Sequence, residues 1–179
     1  MQRESEQRYM DFKHLTPKQL VTKLLEAFVA RDAETILSIY GDAEVTGPFA
    51  LPKKLVVKNV KRDAADLVRR STTSISSRMY DDIKVTDLTV FETTDPEWVI
   101  MEWTYISRLG DEEVENANIS VMQVRDGKII KARDYHNHVT RAVAQGHLPE
   151  ILTTIAQMEL DQDRRKRQEG MHFLLSKKE

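Results

Sequence analysis

Two stretches of alternating residues joined by Asp126-Gly127 constrain the fold of this chain more than any other feature. Asp-Gly between such runs is typical of a two-residue type I′ hairpin, because both central positions of that turn need φ > 0. The sequence therefore predicts two antiparallel strands, over 114–125 and 128–138, with Val124 opposite Ile129.

The same register places one carboxylate on an apolar face of the hairpin. Counting from the turn, Asp134 is expected opposite Ile119 and Ala132 opposite Val121, and His136 shares the face of Asp134. A carboxylate among aliphatic side chains is desolvated, which raises its pKa and suits it to general acid/base work. The alternative is that Asp134 pairs with an arginine or caps a nearby backbone group.

The composition fits one soluble domain with a helical extension. The chain has 179 residues, of which 40% are hydrophobic and 31% charged, and its net charge of −2 gives no reason to expect a nucleic acid or a membrane as partner. The absence of cysteine excludes a disulfide framework and a thiolate nucleophile. The first ten residues lack the apolar region of a secretory signal, so a cytoplasmic location is expected.

The first part of the chain carries helix signals. In the second part apolar and polar residues alternate with a period of two, which is typical of strands. A capping box at Thr16 predicts the first helix, and further helices are expected to start at Asp32, near Asn59 and after Gly146. The serine- and threonine-rich run 71–77 is expected to end the third helix or to form a loop. Strands are predicted over 83–92, 98–109, 114–125 and 128–138. Three helices followed by a curved antiparallel sheet form an α+β arrangement that encloses an apolar pocket.

Aromatic and sulfur-containing side chains are expected to line this pocket. Tyr40 and Phe49 would lie at its mouth, and Met101 and Trp103 share one face of strand 98–109. The alternative is that these side chains belong to the ordinary hydrophobic core.

The spacing His136-x-His138 places two imidazoles on one side of a strand, which is a spacing that can bind a metal. Because Asp134 is the one clear further ligand, no metal site is expected. Proton transfer or condensation needs no organic cofactor, so none is expected either.

The opposite face of the hairpin is predicted to be polar and outward. Lys131, Arg133 and Tyr135 would lie there with Asn118 and Ser120. Such a face suits the interface of a two-fold homodimer, and the alternative is plain contact with solvent.

Three stretches resemble a known group of proteins. The segment 127–135 resembles the last-strand signature of the NTF2-like superfamily, in particular of its SnoaL-like polyketide cyclases and ketosteroid-isomerase relatives. Segments 115–137 and 90–96 are similar to the phenazine-biosynthesis PhzA/PhzB family, and the likeness runs from about residue 85 to residue 146.

The resemblance implies a fold with three parts. A loose N-terminal segment, 1–14, would precede an NTF2-like domain over 15–146, in which the helices pack on a conical sheet. A C-terminal helical extension, 147–179, would follow it.

The resemblance also implies a function. Asp134 matches the acid/base carboxylate of the phenazine family, with His136 and Tyr40 as expected catalytic partners. The substrate would be a hydrophobic carbonyl compound of a biosynthetic pathway, and the reaction a cyclisation, isomerisation or condensation. Residues expected to contact it are Phe49, Asp66, Met101, Trp103, Ile119, Val121 and Ala132.

Two positions depart from the family patterns. Asp66 stands where the phenazine family has a histidine, and Gly47 lies near the position of the ketosteroid-isomerase base. These departures motivate the alternative that the protein is a non-catalytic ligand-binding or interaction module.

Overall fold

The computed structural model describes residues 10–51, 53–72, 83–109 and 111–176 of the chain. Within these ranges the helices are α1 (Pro17–Val29), α2 (Ala33–Tyr40), α3 (Val60–Asp63), α4 (Ala65–Thr72), α5 (His138–Gln145) and α6 (Leu148–Ser176). The strands are β1 (Glu44–Gly47), β2 (Leu55–Val57), β3 (Lys84–Glu92), β4 (Trp98–Leu109), β5 (Glu112–Arg125) and β6 (Lys128–His136).

The helices of the first half begin where the sequence predicts. Thr16 forms a complete capping box, and the side chains of Asp32 and Asn59 accept hydrogen bonds from backbone N–H groups of the helices that follow them. The third predicted helix is divided at Ala64 into α3 and α4. Residues 73–77 of the run expected to end it lie outside the described residues.

The six strands form one curved sheet in the order β2-β1-β6-β5-β4-β3. All neighbours are antiparallel except β1 and β6, which are parallel. Helix α1 packs against β3 and β4, while α2 packs against β6. The predicted α+β cone is confirmed, and β1 and β2 extend its sheet beyond the predicted meander.

A β-bulge changes the predicted register of the hairpin. Val124 pairs with Ile129 as predicted, but Gln123 pairs with Lys131, so Ile130 is an extra residue in β6. A bulge places two residues of one strand opposite one residue of its partner, so every pair farther from the turn moves by one position. The predicted pairing of Asp134 with Ile119 is therefore wrong, because the turn fixes the register only as far as the bulge.

The N-terminal segment packs against the hairpin turn. Phe12 belongs to the hydrophobic core, although the sequence placed it in a loose segment. Gly127 has φ +70°, and a Cβ at this position would lie 2.3 Å from the backbone carbonyl carbon of Phe12. The turn therefore needs glycine both for its backbone conformation and for the close approach of the segment.

The last strand ends earlier than predicted. Strand β6 stops at His136, because Asn137 caps α5 by accepting a hydrogen bond from the backbone N–H of Thr140. Helix α5, which the sequence did not predict, ends at Gly146 in the left-handed conformation, and α6 follows. None of the helices described here is long and apolar enough to cross a membrane.

Candidate active site

A cavity of about 230 Å³ lies between the sheet and helices α1, α2 and α4. Its apolar and aromatic walls come from both layers and comprise Leu24, Leu25, Phe28, Tyr40, Leu67, Val68, Met101, Trp103, Tyr105 and Met122. Its polar side chains lie together at the β5, β6 and α5 side and comprise Asn116, Asn118, Ser120, Asp134, His136 and Arg141. An apolar pocket with a few convergent polar groups is typical of a small-molecule site.

Asp134 is the carboxylate of this cavity. Its side chain keeps 18% of its surface accessible, and its Oδ1 accepts a hydrogen bond of 2.5 Å from the Ser120 hydroxyl. Burial raises the pKa of Asp134 to about 6, against the opposing effects of the Ser120 hydrogen bond and the positive charge of Arg141. The raised pKa has the direction expected from the sequence, although the residue opposite Asp134 on β5 is Ser120 rather than Ile119.

Tyr40 places a phenol in the same cavity from the end of α2. Burial raises the pKa of Tyr40 well above its usual value, and the charge of Asp134 raises it further. The phenol therefore keeps its proton at neutral pH and can act as a hydrogen-bond donor.

The imidazole of His136 is hydrogen-bonded to the side chain of Asn118, which is in turn bonded to Asn116. Its Nδ1 lies 2.5 Å from Asn118 Oδ1, while Asn118 Nδ2 donates to the carbonyl oxygen of Asn116. Because Asn118 Nδ2 donates to Asn116, the atom that faces the ring is Asn118 Oδ1, which accepts a hydrogen bond. The His136 imidazole therefore carries its proton on Nδ1. Nε2 then presents a lone pair 3.9 Å from Asp134 Oδ2.

The imidazole of His136 is neutral. Burial lowers the pKa of His136 to about 3, and the charges of Arg141 and His138 act in the same direction. A neutral imidazole with a free Nε2 can accept a hydrogen bond from the protonated form of Asp134, but it is the weaker base of the two and cannot serve as a cationic acid at neutral pH.

Two buried polar atoms of the cavity wall have no hydrogen-bond partner within the described part of the chain. These atoms are Trp103 Nε1, a donor, and Asn116 Oδ1, an acceptor. Buried polar groups are nearly always satisfied in folded proteins, so each of these atoms is a candidate to bond a water molecule or a ligand group that enters this wall.

The structure brings together Asp134, His136, Tyr40, Met101 and Trp103, all of which were expected to face the pocket. Their proposed chemical roles remain predictions.

Five other predicted residues do not line the cavity. The bulge turns Ile119 and Val121 to the outer face of the sheet, where Ile119 is 40% exposed. Ala132 is buried in the core but is not part of the cavity wall. Phe49 is 67% exposed and packs edge-on against Tyr135, which points away from Asp134 because side chains alternate along β6.

Asp66 lies on the outside of α4. Its side chain is 90% exposed and lies 3.9 Å from the Arg69 guanidinium. The next two residues, Leu67 and Val68, line the cavity instead, because successive helix positions point in directions about 100° apart.

Asn118 and Ser120 were expected on the outer face of the sheet. They face the cavity instead, because the bulge shifts the register of β5 against β6. Together with Asn116 they form an alternating polar series along β5 that faces the cavity. The alternation of these polar residues was visible in the sequence, but the bulge decides which face of the sheet they occupy. Arg141 was missed because it belongs to the unpredicted helix α5.

Within the described ranges, no group of three or more histidine, aspartate or glutamate side chains is arranged to hold a metal ion. His136 and His138 contact each other edge-to-face, with ring centroids 5.9 Å apart.

Comparison with known proteins shows similarity at the level of structure. No protein-family model matches the chain, and no curated protein sequence matches it significantly. A proposed isomerase from Bacillus subtilis superimposes with a TM-score of 0.57 and 22% identity, over 73% of this chain and 92% of that protein.

Two further solved structures are similar. A protein with a ketosteroid isomerase-like fold from Catenulispora acidiphila has a TM-score of 0.55 and 13% identity, over 74% of this chain and 95% of its own. A phenazine biosynthesis-related protein from Pseudomonas aeruginosa has a TM-score of 0.51 and 16% identity, over 82% and 87% of the respective chains. At these identities the likeness establishes the fold, and the chain has the NTF2-like, ketosteroid-isomerase-like cone fold.

Proposed function

We propose that the protein is a small-molecule enzyme that uses Asp134 for acid/base chemistry on a hydrophobic carbonyl compound. The observation that carries this proposal is the position of the carboxylate. Asp134 has a pKa raised to about 6 and lies among apolar and aromatic walls, with Oδ1 bonded to Ser120. A base with a pKa near the working pH is largely ionised and still holds a transferred proton well.

The proposed reaction begins with proton abstraction next to a carbonyl group. Asp134 takes the proton, the C–H electron pair moves toward the carbonyl, and negative charge develops on the carbonyl oxygen. The Tyr40 phenol and the Trp103 indole N–H, both on the cavity wall, are suited to donate hydrogen bonds to that oxygen. Return of the proton to another carbon gives an isomerisation, and attack of the enolate on a second carbonyl gives a cyclisation or condensation.

His136 would hold the abstracted proton in position on Asp134 by accepting a hydrogen bond from it. When Asp134 is protonated, its proton can be shared with the lone pair on His136 Nε2, 3.9 Å from Oδ2, after a small movement of either side chain. Two structural neighbours, a proposed isomerase and a phenazine biosynthesis-related protein, are compatible with this reaction class.

The alternative proposal is a ligand-binding module that has the cavity without the chemistry. The exposure of Asp66, at the position of the phenazine-family histidine, favours it. Among the described residues no arginine or lysine lies within ion-pair distance of Asp134, which favours the enzyme, and the contact within that distance is neutral His136.

Hydrogen exchange of small ketones would distinguish the two proposals without knowledge of the natural substrate. Cyclic enones and β-diketones are incubated with the protein in D₂O, and deuterium incorporation next to the carbonyl is followed by NMR. We expect Asp134→Asn to slow the protein-catalysed exchange by about 10²-fold or more. The matched control is Asp66→Asn, which removes an exposed carboxylate and should leave the exchange unchanged.

Equal exchange rates for the protein and Asp134→Asn would remove the assignment of Asp134 as the base. Binding of the ketones without any catalysed exchange would favour the ligand-binding module.

A further inference from the structure

A second groove lies next to the cavity and is basic. Its walls come from residues 50–51 and 53–56 on one side and from α5, the start of α6 and His147 between them on the other. The ionisable side chains lining it are Lys53, Lys54, His138, Arg141 and His147, and no acidic side chain among the described residues lines it. This local excess of positive groups contrasts with the net charge of −2 of the whole chain.

Arg141 connects this basic groove with the cavity. It lines both, so one guanidinium faces the space beside Asp134 and the space beside the lysines. Across the described residues no carboxylate lies within ion-pair distance of Arg141, whereas other arginines have such partners. Examples are Arg62 with Asp63 at 2.6 Å, Arg69 with Glu34 at 3.3 Å and Arg125 with Glu97 at 2.7 Å.

His138 supplies a second, independent observation. Its Nε2 is buried and has no hydrogen-bond partner among the residues described, although the side chain lines the basic groove. Burial and the charge of Arg141 both lower the pKa of His138, so the ring is neutral at neutral pH. In the tautomer that carries its proton on Nε2, a neutral imidazole beside a guanidinium without an ion-pair partner can donate a hydrogen bond to an oxygen of the same ligand.

The remaining wall of the basic groove is apolar and open to solvent. Leu51, Leu55 and Val56 are exposed large hydrophobic residues there. Cationic groups above an apolar floor match a ligand that carries a negative group on a hydrocarbon body.

We propose that the basic groove binds a carboxylate or phosphate group of the substrate through Arg141 and the adjacent lysines, while the apolar carbonyl-bearing part enters the cavity. This inference rests on the proposed function in one respect, namely that the cavity and the groove hold the same molecule. The substrate class is then an amphipathic organic anion, and Arg141 fixes the position of its reacting end relative to Asp134.

Matched aromatic probes test the inference without any turnover. The dissociation constants of 1-naphthaleneacetate, 1-naphthyl phosphate and neutral 1-naphthaleneacetamide are measured by calorimetry or by NMR shifts. We expect at least one anion to bind about 10-fold more tightly than the amide, because charge-assisted hydrogen bonds are stronger than neutral ones. The two anions distinguish a carboxylate site from a phosphate site.

Substitutions then identify which side chains are responsible for the preference for the anion. Arg141→Met should remove most of the preference for the anion, and Arg141→Lys should retain part of it. The double variant Lys53→Met/Lys54→Met changes exposed side chains, so it tests the groove without disturbing the core. Lys18→Met removes an equal charge from an exposed position on α1 and should have no effect on the preference.

The inference is overturned if the amide binds as tightly as both anions. It is also overturned if Lys18→Met weakens anion binding as much as Arg141→Met, or if neither anion binds at about 10 mM. Asp134→Asn separates this result from the proposed function, since it should abolish ketone exchange while keeping or strengthening anion binding. Anion preference without loss of exchange in Asp134→Asn would contradict the proposed function alone.

Discussion

Ser120 and Asp134 lie directly opposite each other on β5 and β6, and the Ser120 hydroxyl donates a hydrogen bond of 2.5 Å to Asp134 Oδ1. This contact stabilises the ionised carboxylate and leaves Oδ2 as the oxygen nearer His136. The pair exists because the bulge at Ile130 moves Ser120, rather than Ile119, into register with Asp134.

The first prediction concerns this hydrogen bond. Ser120→Ala removes the interaction that opposes the effect of burial, so the pKa of Asp134 should rise above about 6. Since Asp134 acts as a base in its ionised form, the rate of ketone exchange should fall below pH 6 in the unchanged protein, and the midpoint should move to higher pH in the variant. The measurement is the pH dependence of kcat/KM.

Ser107→Ala is the matched control, because Ser107 is buried on β4 and donates to the carbonyl oxygen of Val114, away from the carboxylate. An unchanged midpoint in Ser120→Ala would mean that the hydroxyl does not interact with Asp134 in solution.

The second prediction concerns stability. The pKa of Asp134 rises from 3.8 to about 6 on folding, so the folded state binds this proton more tightly than the unfolded chain does. Stability is therefore lost as the pH increases from about 4 to about 6 and stays reduced above that, by up to about 3 kcal/mol. Asp134→Asn removes this cost and should raise Tm by several degrees at pH 7, with a smaller effect at pH 4.

Thermal unfolding of both proteins between pH 4 and pH 7 measures this difference. A lower Tm of Asp134→Asn at pH 7 would identify Asp134 as a structural carboxylate that stabilises the fold when ionised.

The third prediction concerns Tyr40. Its raised pKa keeps the phenol protonated, so Tyr40→Phe removes a hydrogen-bond donor from the cavity and little volume. We expect kcat to fall by about 10²-fold, the scale found when one donor to a developing oxyanion is lost. Tyr135→Phe, on the outer face of β6, should retain full activity, and equal losses in the two variants would argue against a role for Tyr40 in the reaction.

The fourth prediction concerns assembly through the outer face of the sheet. Ile119 is exposed there, opposite Tyr135 on β6 and acidic residue Glu102 on β4, and basic residues Lys131 and Arg133 lie on the same face of β6. A two-fold axis would bring the basic side of one copy to the acidic side of the other, so we expect a homodimer. Light scattering should give twice the chain mass at micromolar concentration and the monomer mass for Ile119→Glu; a monomer before substitution would contradict the prediction.

Much of the fold follows from local sequence signals. Capping side chains at Thr16, Asp32 and Asn59 mark helix starts, because each must satisfy backbone N–H groups that have no partner inside the helix. The turn Asp126-Gly127 and the bounds of Trp98–Leu109 also follow from residues close in sequence.

The candidate site depends on features that local signals do not contain. The bulge at Ile130 decides that Ser120 and Asn118 face the cavity, and the two-residue turn gives no information about it. Asn137 caps a helix where alternation predicted more strand, and this helix carries Arg141. Asp134 was identified because alternation along β6 places it on one face with Ala132 and His136, and this alternation does not depend on the register with β5.

The pKa of Asp134 is the quantity that tests this account most directly. Its side-chain carboxyl ¹³C shift can be followed by NMR from about pH 3 to about pH 9, with Asp134→Asn used to assign the signal. We predict a titration midpoint of about 6, because burial in the cavity disfavours the charged form. A midpoint at or below the usual value of 3.8 would contradict the central claim that Asp134 is a cavity base.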